Sequence, residues 1–239
     1  MTGTTFQRYE KKYMLTREQC TALIKNLKDR LQPDQYGSYS ISNIYYDTDN
    51  FDLIRMSLEK PVYKEKLRMR CYGTPEAGNP VFLELKKKYD GVVYKRRAEL
   101  TYQDAKRFMT TRSCSEGDTQ IMKEIGYFLS VYPVKPKVFL CYDRVALAGI
   151  EDEGLRVTFD TGIRFRQTSL SLNKGNWGTD LLDRDKILME VKVPGAFPLW
   201  MSRAFSELGI FPTSFSKYGT CYSKYLADKI SPREVGRSA

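Results

Sequence analysis

Lys66-Leu67-Arg68-Met69-Arg70 places a cation at every second position and an apolar side chain between them. A strand has period two, so this stretch sends its charges to one face and Leu67, Met69 and Cys71 to the other. The same grammar recurs in Arg8, Glu10 and Lys12 near the start of the chain and in Leu188, Glu190 and Lys192 of Ile187–Val193. Glu84/Lys86/Lys88, Arg156/Thr158/Asp160 and Arg164/Arg166 follow it as well. A solvated sheet face mixes Ser, Thr, Gln and Lys, whereas these faces hold Arg and Lys with a few carboxylates.

The chain has 239 residues and a formal net charge of +10. That balance points to an anionic partner, whether nucleic acid, a membrane surface or a phosphorylated small molecule. Histidine is absent, which removes Ser-His-Asp and Cys-His catalysis and every His-ligated metal site. The 5 cysteines are scattered and never form a Cys-x-x-Cys pair, as expected of reduced thiols in a cytoplasmic protein. No run approaches the ~18 apolar residues of a membrane span, and no apolar leader follows Arg8.

Strands are predicted over 6–14, Tyr39–Asp47, Val62–Tyr72, Val81–Lys88, Val92–Leu100, Lys137–Leu147, Leu155–Asp160, Ile163–Thr168 and Ile187–Val193. Asp90-Gly91 marks a tight hairpin. Thr16 caps a helix predicted over Arg17–Leu31, with Pro33 and Gly37 ending it. Further helices are expected over Thr101–Thr111, Asp118–Val131, Leu199–Leu208 and Tyr218–Lys229. The expected fold is α+β, a closed antiparallel barrel of about eight strands with helices packed outside. Residues 1–230 are read as one domain and 231–239 as a flexible tail.

Turning the apolar faces outward leaves a charged lumen. Unpaired cations are too costly in a dry core, so such a lumen holds water and a polyanion. Arg and Lys would bind phosphoryl oxygens by charge-assisted hydrogen bonds. Interspersed carboxylates would hold a hard divalent cation, Mg²⁺ or Mn²⁺. Nucleic-acid binding explains the charge but not its alternation along strands, and no nucleic-acid partner is expected.

The chain resembles the triphosphate tunnel metalloenzyme (CYTH) superfamily, and within it the VTC-type polyphosphate polymerase domain. The matching motifs are Arg8-Tyr9-Glu10-Lys11-Lys12-Tyr13, Ile44-Tyr45-Tyr46-Asp47, Leu67-Arg68-Met69-Arg70, Phe82-Leu83-Glu84-Leu85-Lys86, Tyr142-Asp143-Arg144, Met189-Glu190-Val191-Lys192 and Phe215-Ser216-Lys217-Tyr218. The resemblance implies that Lys12, Arg68, Arg70, Lys86, Arg144 and Lys217 grip a nucleoside triphosphate or the product chain, and that Glu190 is the principal metal ligand. It places Arg8, Glu10, Lys66, Lys95, Arg97, Arg156, Lys192 and Ser216 around them as substrate-binding residues. Glu84 and Lys192 are lumen residues or a structural ion pair.

The hydrolytic branch opens with Glu-x-Glu-x-Lys, and here the first of those positions is Arg8. A more basic lumen, poorer in metal ligands, is similar to the polymerase branch. The implied reaction passes the terminal phosphoryl group of ATP to orthophosphate, pyrophosphate or a growing polyphosphate, with Mn²⁺ or Mg²⁺ as cofactor. A tunnel triphosphatase and a non-catalytic polyphosphate- or nucleotide-binding module are the alternatives. A membrane-protein or regulatory partner would supply export or control.

Overall fold

The structure, a computed structural model, describes residues 9–112, 119–152 and 154–229. Arg8, Cys114 and the tail 231–239 lie outside them. The alternating stretches form β1 (Tyr9–Leu15), β2 (Leu31–Asp47), β3 (Tyr63–Tyr72), β4 (Pro80–Tyr89), β5 (Val92–Thr101), β6 (Lys135–Gly149), β7 (Arg156–Arg166) and β9 (Ile187–Val193). All join one antiparallel sheet in the order β1-β9-β7-β6-β2-β3-β4-β5, with the short β8 (Thr179–Asp180) paired to β7.

The apolar faces are covered as patterned. Tyr13, Leu15, Val157, Met189 and Val191 pack with Leu23 and Leu27 of α1 (Arg17–Leu27) and Phe205 of α5 (Leu199–Glu207). On the other flank Leu67, Met69, Leu83 and Leu85 pack with Phe108 of α3 (Tyr102–Thr111) and Ile125 and Phe128 of α4 (Gln120–Val131). Thr16 closes a capping box with Gln19 at the start of α1. Asp90 and Gly91 both take positive φ, 41° and 81°, as a two-residue hairpin of right-handed strands requires.

Four expectations need correction. The sheet is not closed: β1 and β5 are its two edges and do not pair. It curls far enough for Glu10 and Lys12 of β1 to share a cavity with Val93 and Lys95 of β5. Full closure would press Lys12 towards Lys66 and Lys86, all of one charge, and this opposes it. The first helix ends at Leu27, and β2 starts at Leu31, earlier than Tyr39, absorbing Pro33 and Gly37 where its pairing with β6 shifts register. The two strands expected around Thr161-Gly162 are one, β7, with Gly162 at φ 54° opposite a register shift between Cys141 and Asp143. Finally, α6 (Lys217–Tyr225) does not pack outside. Its Tyr218, Cys221 and Tyr222 pack with Tyr45, Tyr142 and Leu188 on the concave face, plugging one end of it.

Candidate functional site

The concave face encloses a cavity of about 300 Å³. Nine cations and three carboxylates among the described residues line it. Sheet register explains how they meet. Cross-strand partners share a face, so Lys66, Lys86 and Lys95 form one rung across β3, β4 and β5. The next rung is Arg68, Glu84 and Arg97. On the opposite wall Lys12 faces Glu190, and Glu10 faces Lys192. Arg144 of β6 lies opposite Asp160 of β7.

Two carboxylate centres organise these charges. Glu84 is 1% exposed and takes Arg68 Nε at 2.6 Å, Lys95 Nζ at 2.8 Å and Arg97 Nε at 2.7 Å. Burial pushes the Glu84 carboxyl up, but the attraction of Arg68, Arg70 and Lys95 outweighs it and holds the group well below the carboxylate range. The second centre is Asp160, fully buried, with Arg144 Nε at 2.6 Å, Arg144 Nη2 at 2.7 Å and Lys217 Nζ at 2.6 Å. The Arg144 contact is bidentate, which fixes the guanidinium plane.

Glu190 is held more loosely. Lys12 and Lys217 stand 3.6 Å from its Oε1, and Arg144 stands 3.7 Å from its Oε2. Burial acts against its charge, and Lys217, Lys12, Arg144 and Lys192 together overcome that, keeping its pKa far below the ordinary value. Lys12 also donates to the Phe215 carbonyl at 3.1 Å and lies 3.6 Å from Glu10.

Lys66 and Lys86 differ from their neighbours. Among the described residues neither has a carboxylate within 4 Å or a hydrogen-bond acceptor. Surrounding protein, with Lys64, Lys86 and Lys12, pushes the Lys66 amine down to about 8. Lys86 is lowered by the same enclosure, offset by Glu10. Lys86 is nonetheless exposed to solvent, so its charge is hydrated.

The remaining scaffold is aromatic. Tyr45 stacks on Tyr218 at 4.6 Å and receives a hydrogen bond from Arg68 at 3.2 Å. Tyr218 donates to the buried Asp47 at 2.9 Å, and Asp47 also accepts from the amides of Thr48, Leu53 and Ile54. One carboxylate thus ties α6 to the start of α2 (Asp52–Leu58) and aims Lys217 into the cavity. Ser216 caps α6 through the Gly219 amide at 3.1 Å.

Lys12, Arg68, Arg70, Lys86, Arg144, Lys217 and Glu190 all line this cavity, as do Glu10, Lys66, Lys95, Lys192 and Ser216. Arg97 does not line it, although it shares that face; it is bound to Glu84 and lies over the Phe82 ring. Arg156 is a correction. It shares the face of Thr158 and Asp160, but its half-exposed guanidinium turns away to Asp34 at 3.2 Å. Asp34 is far away in sequence, so no local pattern announces that contact. Asp47 is a residue whose anchoring role the strand pattern does not reveal.

The VTC domain model matches residues 7–226. The chain belongs to the VTC domain family. It is 27% identical over 237 residues to the vacuolar transporter chaperone complex subunit 4 of Schizosaccharomyces pombe, covering 80% of this chain and 32% of that protein. Subunit 4 of Trypanosoma brucei brucei is 26% identical over 166 residues, covering 57% of this chain and 21% of that protein. The chain therefore spans between a fifth and a third of the length of these relatives. Two solved structures share the fold. A Hippeastrum protein first assigned as an adenylyl cyclase, with a dominant triphosphatase activity, has a TM-score of 0.53 at 18% identity, over 91% of this chain and 96% of that one. A Bacillus halodurans protein provisionally assigned as an adenylate cyclase has a TM-score of 0.52 at 18% identity, over 87% and 92%. The likeness to these two structures is one of fold.

A divalent cation is the cofactor expected from the sequence resemblance. Among the described residues no group of three or more Asp, Glu, Cys or His forms a ready-made metal cluster. Glu190 and Glu10 share Lys12 between them, whereas Glu84 in the lining and Asp160 behind it are occupied by cations. The donor set fits Mg²⁺ or Mn²⁺ as an ion that keeps water and phosphate oxygens as most of its ligands, with one or two protein carboxylates. No helix among the described residues is long and apolar enough to cross a membrane.

Proposed function

We propose that this VTC domain is a metal-dependent polyphosphate polymerase, passing the terminal phosphoryl group of ATP to orthophosphate, pyrophosphate or a growing polyphosphate. The observation that carries this reading is the pair Lys66 and Lys86. Two adjacent cations without a carboxylate within 4 Å among the described residues stand in a cavity whose other cations are paired with Glu84, Asp160, Glu190 or Glu10. A chain of phosphates supplies the missing negative charge.

Lys66, Lys86, Arg68 and Lys95 bind the phosphates along β3–β5, while Lys12, Arg144 and Lys217 receive the reacting end at Glu190. Glu190 and Glu10 would hold a divalent cation, which would supply positive charge to the transferring group. An oxygen of the acceptor phosphate attacks the γ-phosphorus, the bond to the β–γ bridging oxygen breaks, and ADP leaves. Positioning and charge stabilisation supply the rate, and no histidine base is needed since the acceptor is already anionic.

A hydrolase would use a carboxylate to hold the attacking water. Both oxygens of Glu84 and of Asp160 are occupied by cations, which favours an anionic acceptor over water. The test is incubation of the protein with ATP and Mn²⁺ or Mg²⁺, with products separated by length. A polyphosphate ladder is expected. Orthophosphate alone would make it a triphosphatase, and tight binding without turnover a non-catalytic module.

A further inference from the structure

The two ends of the cavity differ in chemistry. Cross-strand partners share a face, so the concave face can be followed past the last lining cations. Phe82 is the partner of Arg70, Tyr72 follows Arg70 by two residues on β3, and Tyr39 is the partner of Arg144. Aromatic rings thus border the cavity cations Arg70 and Arg144. At the opposite end the rung beyond Lys66 and Lys86 is Lys64, Lys88 and Val93, with no ring among them.

The rings form one continuous rim. Tyr36 meets Tyr39 edge-on at 6.3 Å, Tyr39 meets Tyr72 at 5.5 Å, and Tyr72 meets Phe82 at 5.7 Å. Edge-to-face contacts of this kind hold each ring plane in place. Tyr39 is partly buried, and the Arg97 guanidinium lies over Phe82 at 4.5 Å. Tyr72 stays open, with 47% of its surface exposed. It stands two residues from Arg70, about 7 Å along the strand, which is the reach of a ribose.

We propose that Tyr72, held by Tyr39 and Phe82, is the platform on which the nucleoside of a bound nucleoside triphosphate stacks. The inference rests on the reading of the cavity as a nucleoside triphosphate site and adds an orientation to it. The base lies on the aromatic rim, and the phosphates run past Arg70 and Arg144 towards Lys66 and Lys86. A ligand that is flat and aromatic at one end and anionic at the other matches the two ends of the cavity, whereas a bare phosphate chain makes no use of the rings. Every base has a stacking face, so the rim favours a nucleotide over inorganic triphosphate rather than one base over another.

The test is calorimetric titration of the full chain with ATP and with inorganic triphosphate in parallel, without divalent cations so that no turnover occurs. Tyr72→Ala removes the platform, and Tyr72→Trp keeps an aromatic face there. In Tyr72→Ala the affinity for ATP is expected to fall at least about fivefold, while that for triphosphate changes less than about twofold. Tyr72→Trp should bind ATP as the wild type does. The ratio of the two affinities within one variant does not depend on its folded fraction, and thermal unfolding checks that fraction separately. ATP binding that Tyr72→Ala leaves unchanged would overturn the proposal and leave the reading of the cavity intact. Equal losses for both ligands would also overturn it, since Tyr72 would then act on the phosphates. Binding of neither ligand by the wild type would remove the reading of the cavity itself, and the proposal with it.

Discussion

Lys66 and Lys86 stand directly opposite each other on β3 and β4, and no carboxylate among the described residues lies within 4 Å of either. Like charges in that position destabilise a sheet. The arrangement therefore costs stability, and a bound anion would relieve it. Removing one charge should make the apoprotein more stable and the polyanion complex weaker. For Lys66→Met a gain of about 1 kcal/mol in unfolding free energy is expected. Denaturant titration with and without inorganic triphosphate measures both effects, and the order of stability should reverse when triphosphate is present.

The same lysine predicts a pH dependence. Its folded-state pKa of about 8 lies below the 10.5 of a free lysine. Between those values the unfolded chain holds a proton that the folded chain has released. Stability contributed by this group thus rises with pH across that window. The rise should be smaller in Lys66→Met. Phosphate binding restores the charged form, so triphosphate binding near pH 8 should take up protons. Calorimetry in buffers of different ionisation enthalpy reads that uptake directly.

Glu84 behaves in the opposite sense. Its carboxyl is buried among Arg68, Arg70, Lys95 and Arg97 and titrates below the ordinary 4.5. The stability it supplies is present above that ordinary value and lost as pH falls through its depressed one. Glu84→Gln would leave several cations around a neutral amide and should cost about 3 kcal/mol. Acid unfolding of wild type against variant checks the sign: the deficit of the variant should shrink as the pH is lowered.

Glu190 should separate chemistry from stability. Its cations stand at 3.6 to 3.7 Å, without the short hydrogen bonds that hold Glu84. Glu190→Gln is expected to cost less stability than Glu84→Gln while lowering turnover on the order of 100-fold. Steady-state rates and thermal melts of the two variants, measured side by side, give the comparison.

Tyr218 is expected to act through Lys217, its neighbour at the start of α6. Loss of its hydroxyl in Tyr218→Phe removes one donor from buried Asp47, which keeps three amide partners. A cost of about 1 kcal/mol is expected. Triphosphate affinity should fall as well, because α6 is then less firmly seated and Lys217 less well aimed. Titration of the variant with triphosphate measures that second effect.

Much of this architecture was legible in the sequence because strand alternation is local. Lys66, Arg68 and Arg70 share a face whatever they pair with, and so do Glu84 with Lys86 and Glu190 with Lys192. Asp90-Gly91 carried its turn in its own chemistry. What alternation cannot carry is the relation between strands distant in the chain. It predicted closure where β1 and β5 remain edges, and it put Arg156 in the cavity although Asp34 holds it outside. It also placed α6 outside, because the apolar stripe of Tyr218, Cys221 and Tyr222 does not say which face of the sheet receives it. The sequence expectation of a polymerase over a hydrolase drew on Arg8, which lies outside the described residues. The ion pairs at Glu84 and Asp160 provide an independent argument for the polymerase.

The most direct test of the central claim is calorimetric titration of the protein and of a Lys66→Met/Lys86→Met variant with inorganic triphosphate. The account predicts tight, salt-sensitive binding to the wild type and binding at least about 100-fold weaker in the variant, whose fold is as stable or more so. Equal affinity in the two proteins, or no binding to the wild type, would contradict it.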